Sequence, residues 1–299
     1  MQKNFIRHSV LPVIAALIWG TAFAAQSVCS EYVQPMTFNT ERSFIASITL
    51  LAVYLIYSRS AKQSGTKKPI PWKKLIPGSI LCGIFLALAS NMQQLGIGVT
   101  SAGKSGFITA LYIVIVPILG LFIGKKCGIN VWIAVAAATA GLYFLCVGEN
   151  FSITSGDLYL LICAVLFSVH ILVIDHYTQT VEGVLLSLGQ FIVVTVISGI
   201  GMLIFEQPSM DAIMKCLLPT LYVGIFSSGV AYTLQIIAMR GANPTVVSLL
   251  LSLESVFSVL AGAAFLGERL MAREYFGCLL MFAAVVMSQL QPKKKEINS

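Results

Sequence analysis

The chain has 299 residues, of which 57% are hydrophobic and only 10% are charged, with a formal net charge of +7. Soluble domains carry about 25% charged residues, so this composition excludes a soluble globular protein. It also gives the positive charge a membrane explanation before a nucleic-acid one.

Ten apolar runs are long enough to cross a bilayer core of ~30 Å. They lie at about 9–28, 37–57, 75–95, 102–123, 129–147, 156–174, 184–205, 215–238, 245–266 and 272–290. All are expected to be helices, because lipid offers the backbone no partners and such runs are too long for barrel strands. The fold class is therefore an all-α integral membrane protein.

The first run follows Lys3 and Arg7 and contains Ala22-Phe23-Ala24, which imitates a signal-peptide cleavage site. It is kept as a helix because the repeat described below needs it. Trp19 sits in its middle, away from an interface. The second run carries Glu41-Arg42, and Arg42 is suited either to a substrate carboxylate or to an ion pair between helices. Asn91 and Gln94 lie in the third run, Tyr112 in the fourth, His170 in the sixth, Gln190 in the seventh, and Tyr232 and Gln235 in the eighth. Each can line a cavity or serve as interhelical glue. Gly120-x-x-x-Gly124 permits close helix contact.

The ninth run opens with Asn243-Pro244 and places Glu254 near its middle. A charge there costs at least ~2.5–3.5 kcal/mol, so it faces a polar cavity or a partner. Ser258 and Ala261 share its helix face and leave space for a ligand.

Gly98 to Ser105, GVTSAGKS, matches a phosphate-loop pattern. That chemistry needs a strand before the loop and a soluble α/β sheet, and here an apolar helix precedes it. Neither nucleotide nor nucleic acid is expected as a partner. The seven cysteines form no Cys-x-x-Cys pair, so neither a disulfide framework nor a metal site is indicated. No cofactor and no catalytic set is expected, and the chain is read as not an enzyme.

Basic residues set the orientation. With a cytoplasmic N-terminus, 14 Lys and Arg fall on the cytoplasmic side and 4 outside, with Arg42 inside a run. Both termini are expected to be cytoplasmic in a multi-pass plasma-membrane protein.

The halves repeat. At an offset of 148, Trp19 meets Phe167, Gly20 meets Ser168 and Arg42 meets Gln190. At 141, Gly83-Ile84-Phe85 meets Gly224-Ile225-Phe226, and Gln94 meets Gln235. At 143, Gly124-Lys125-Lys126 meets Gly267-Glu268-Arg269. Five runs per half force the second repeat to enter from the opposite side. The repeats are assigned to residues 1–150 and 151–299, and inverted repeats are typical of secondary transporters.

Trp19-Gly20, Arg42, the stretch Thr100 to Pro117, Leu253-Glu254 and the corner Leu266-Gly267-Glu268-Arg269 together resemble the drug/metabolite transporter superfamily in its ten-helix EamA-type branch. Ser255 stands where many members have Pro, and a straighter ninth helix is expected from it. The resemblance implies two bundles of five helices around a central cavity. It also implies transport, often export, of amino acids or related metabolites. The two halves would rock about a site near Glu254, with protons as candidate coupling ion. Two other readings are an intramembrane acid–base enzyme using Glu254 and His170, and a membrane scaffold with a dry core.

Overall fold

The computed structural model describes residues 5–64, 69–100, 102–146, 154–266 and 271–289. It contains ten principal helices. They are α1 (Ile6–Ser30), α2 (Pro35–Gln63), α3 (Trp72–Ile97), α4 (Ala102–Ala110 and Tyr112–Phe122), α5 (Ile129–Cys146), α6 (Ser155–Thr178), α7 (Gly183–Phe205), α8 (Leu217–Met239), α9 (Pro244–Leu251 and Glu254–Leu266) and α10 (Ala272–Gln289). A short helix, Met210–Lys215, precedes α8. Each principal helix falls on an expected run. Eight are long and apolar enough to cross a membrane, and α5 contributes a shorter apolar helix, Ile129–Leu145. The described residues contain no strand.

Local chemistry starts these helices where they start. Thr154 and Asp157 form a capping box on α6, which satisfies two orphan N–H groups at once. Asn243 accepts from the Thr245 N–H at 2.9 Å, and Pro244 opens α9. The first turn of α2 is capped from a distance. Both Glu206 carboxylate oxygens, at the end of α7, accept from the Met36 and Thr37 N–H groups at 2.8 and 2.6 Å. A carboxylate at a helix N-terminus also opposes the positive end of the helix dipole.

The packing has the pattern that a two-fold axis between repeats produces. Helix α2 packs on its mate α7, and α5 on its mate α10. Helix α3 packs on α6 and α7 as α8 packs on α1 and α2, and α4 packs on α6 as α9 packs on α1. Rather than two separate five-helix bundles, the inverted repeats interleave. One group holds α1, α2, α8 and α9, and the other holds α3, α4, α6 and α7. The outward faces are apolar, for example Ile192, Val196, Ile200 and Leu203 on α7. Lipid tails are as apolar as those side chains, so close backbone contact rather than hydrophobic burial holds the helices together.

Two local expectations are corrected. Gly120-x-x-x-Gly124 is a helix end rather than a packing stripe. Gly124 has a φ of 78°, and Lys125 N–H returns to the Gly120 carbonyl at 2.9 Å. That is the glycine-terminated cap of α4. Helix α9 is not straight, although Ser255 replaces Pro. It is interrupted between Leu251 and Glu254. Leu253 N–H and Ser255 N–H bond three residues back, to Leu250 and Ser252, while the Ser248 and Ser252 hydroxyls bond the Thr245 and Leu249 carbonyls. Tight turns and serine back-bonding break a helix without proline.

Candidate functional site

Helix α4 is interrupted as well, at Leu111. Tyr112 and Glu254 each begin the second segment of their helices, and they are 142 residues apart. The offset of 142 also pairs Gly120 with Gly262. Tyr112 Oη donates to Glu254 Oε1 at 3.2 Å. The hydrogen bond thus joins a residue to its own repeat mate, so it lies on the axis between the repeats. Both side chains are buried.

Around this bond lies a cavity. Its walls follow the repeat in pairs. Trp19 lines it with Phe167 and Phe23 with Ile171 at an offset of 148, while Thr109 lines it with Leu251 at 142. The chemistry is less symmetric than the geometry. Arg42 lines the cavity, whereas its mate Gln190 does not, and Tyr112 faces a carboxylate.

Arg42 is 3% exposed. Its Nη1 donates to Gln26 Oε1 at 3.2 Å, its guanidinium lies 5.6 Å from the Phe38 ring centre, and its Nε has no partner. No ion pair joins Arg42 to Glu254; the pairs Lys125–Asp175 at 2.6 Å and Lys215–Asp211 at 2.7 Å lie outside the cavity. The Lys215 ammonium is exposed, and its pKa is raised by the Asp211 carboxylate. Tyr232 lines the same cavity as Arg42 and Glu254. Its ring meets Trp19 edge-on at 4.8 Å, and Trp19 Nε1 donates to the Ser227 carbonyl at 3.2 Å. That carbonyl belongs to a π-wound stretch of α8, Val223–Ala231. π-Turns shift the carbonyl register and occur often at functional sites.

Six of the expected site residues line the cavity: Glu254, Arg42, Trp19, Tyr112, Tyr232 and Gln235. Three do not. His170 is fully buried behind Tyr232, with Nε2 3.0 Å from Gln190 Oε1, and it shares no hydrogen bond with Glu254. Gln190 is spent on that contact. Gln94 faces a separate recess described below. Asn91 bonds Ser198 and accepts from Asn39, which makes it glue between α2, α3 and α7. The space foreseen at Ser258 is filled by α1. A Cβ on Gly20 would meet Phe257 Cβ at 2.6 Å, the Glu254 carbonyl at 2.7 Å and Ser258 N at 2.8 Å. Gly267, Glu268 and Arg269 lie outside the described residues.

Gln26, Gln93 and Ser227 line the cavity without having been singled out. Nothing in their local sequence marks them. Phe23 and Thr109 had a signal in the repeat offset that points to Ile171 and Leu251.

The EamA-like transporter family model matches residues 9–147 and again 154–290. The chain belongs to the EamA-like transporter family. It is a multi-pass membrane transporter. A protein of Archaeoglobus fulgidus named as an uncharacterized transporter is 29% identical over 282 residues, covering 93% of this chain and 84% of its own length. A solved structure, titled only as the crystal structure of a protein, superposes with a TM-score of 0.77 at 17% identity, over 95% of this chain and 96% of the other. That likeness speaks to the fold. Within this EamA-like transporter, residues 98–100 follow the apolar helix α3 and α4 begins at Ala102, with no strand before them among the described residues.

Proposed function

We propose that this chain is a secondary active transporter of small polar metabolites, amino-acid-like in charge, working by alternating access. One observation carries the reading. Arg42 and Glu254 line the same buried cavity, yet they do not neutralise each other. A buried charge is costly unless it is paired. A zwitterion supplies both missing partners, its carboxylate to Arg42 and its ammonium to Glu254. Trp19, Phe23, Phe167 and Leu251 give the rest of the ligand an apolar wall.

Glu254, held by the Tyr112 hydroxyl, is the proton carrier of this reading. A site reached from each side in turn then exchanges a proton for substrate, which makes protons the coupling ion. The cationic loops favour cytoplasmic termini in the plasma membrane, and the family likeness favours export. The repeats, 1–150 and 151–299, act as the two symmetry-related units. An acid–base enzyme is the weaker reading, since His170 is engaged by Gln190 and Glu254 by Tyr112.

The test is uptake of radiolabelled amino acids into proteoliposomes with an imposed proton gradient. Accumulation that collapses with a protonophore is expected. No protein-dependent flux across neutral, acidic and basic amino acids would sink the proposal.

A further inference from the structure

A second recess opens at the face of the α1–α2 turn. It is lined by residues 30–35 of that turn together with Gln94, Leu95, Gly98 and Val99. The first lining group belongs to the α1, α2, α8, α9 cluster, and the second to the other. The recess therefore opens between the two helix groups, and it differs from the central cavity in every lining residue.

A run of hydrogen bonds that passes through the main chain of Gln26 lies between the two spaces. Gln94, 2% exposed, donates from Nε2 to the main-chain carbonyl of Gln26 at 3.1 Å. The Gln26 side chain, 5% exposed, accepts from Arg42 Nη1 at 3.2 Å. Gln94 faces the recess and Gln26 and Arg42 face the cavity, so the chain runs from one to the other across three helices. Helices α1 and α3 make little other contact. Two atoms of the chain have no partner: Gln94 Oε1 and Arg42 Nε.

Contacts also cross between the helix groups at the opposite end. Thr178 Oγ1 on α6 donates to the Ile236 carbonyl on α8 at 3.0 Å, and Cys127 Sγ lies 3.2 Å from Thr245 Oγ1 at the start of α9. Each of these contacts ties the two helix regions together at the end away from the recess.

We infer that Gln26 and Gln94 form a thin gate between the recess and the substrate cavity, with Gln26 also positioning Arg42 for an arriving carboxylate. The inference rests on the reading of the cavity as the substrate site. An anionic ligand group is a stronger partner for a guanidinium than a neutral amide is. A carboxylate reaching Arg42 competes with Gln26 Oε1 for it, and releasing that side chain loosens the segment of α1 that Gln94 holds. Arrival of the ligand and movement of the gate are thereby linked through one residue.

The test reads access rather than transport. In a cysteine-free full-length background, Thr109→Cys reports the cavity and Val99→Cys the recess. A small charged thiol reagent is applied from whichever face labels Val99→Cys. Adding Gln94→Ala should raise the labelling rate at position 109 by about tenfold, and Gln26→Ala should raise it severalfold. The double change should give less than the product of the two, because the residues act in one chain. Asn91→Ala, one turn away on the same helix, should leave the rate unchanged. Unaltered labelling with Gln94→Ala overturns the gate. Unaltered labelling with Gln26→Ala overturns the part of the Gln26 side chain in the gate. Gln94→Leu serves if Gln94→Ala does not elute as a single species. A failure of amino-acid transport would leave these rates as predicted, and unchanged rates would leave the transport result standing, so the two readings fail separately.

Discussion

Helix pairs α5–α10 and α4–α9 each bring a helix against its repeat mate, and they solve the contact differently. Helices α5 and α10 are unbroken and touch backbone to backbone. A Cβ on Gly277 would sit 2.7 Å from the Gly141 carbonyl and 2.6 Å from Leu145 N. Their inner polar side chains serve their own helices, as Thr139 does with the Val135 carbonyl and Ser288 with the Val285 carbonyl. Helices α4 and α9 are both interrupted, and they meet through the Tyr112–Glu254 hydrogen bond beside a cavity. Small residues alone suffice to hold mates together in this fold. The α5–α10 pair carries no such carboxylate or break, and discontinuous helices are where transporters place their sites.

Glu254→Gln tests that contrast most severely. The neutral amide keeps the volume and can still accept from Tyr112, so the protein should insert and fold. Concentrative transport should fall by on the order of tenfold or more, the worth of a charge-assisted contact of about 1.5–3 kcal/mol. The pH dependence of transport should flatten as well. Wild-type accumulation and pH profile in that variant would make the carboxylate mere glue.

Gly277→Val probes the other pair. Overpacking typically costs ~1–3 kcal/mol, and here the obstacle is backbone, which cannot swing aside. Thermal unfolding in detergent should move down clearly, while whatever folds should keep the KM of the parent. A raised KM with unchanged melting would reverse the roles assigned to the two pairs.

Gly20→Ala sits between them, since Gly20 brings α1 against the Glu254 carbonyl. Both lower stability and impaired transport are expected, and stability assays run beside flux assays separate the two. Tyr112→Phe should act most mildly. It removes one hydrogen bond worth about 0.5–1.5 kcal/mol, and transport should change by roughly two- to tenfold with melting nearly unchanged. No change in flux would mean that Glu254 does not depend on its mate.

Orientation is checked by labelling from outside intact cells. Cys29 is a poor reporter, being fully buried with its Sγ 3.6 Å from Thr220 Oγ1. Tyr32 and Lys73 are exposed at opposite ends of the helices. Tyr32→Cys should react with an impermeant reagent, and Lys73→Cys should not. The reverse pattern would invert the topology.

The sequence by itself determined the helices, their inverted repeat and the two charges that line the cavity. Long apolar runs have one outcome in lipid, so their number and limits were legible. Arg42 and Glu254 stood out because a charge in such a run is costly and therefore rare. What only the tertiary structure decided is which way each polar side chain faces. These helices are apolar almost all round, so no periodic stripe separates a cavity face from a lipid face. Tyr112 and His170 look alike as intramembrane polar residues, yet one meets Glu254 and the other is sealed against Gln190. The break in α9 was hidden too, because serine hydroxyls and tight turns made it where no proline announced it. Gln26 was invisible for the same reason. A lone amide gains its meaning from Arg42 and Gln94, which reach it from two other helices.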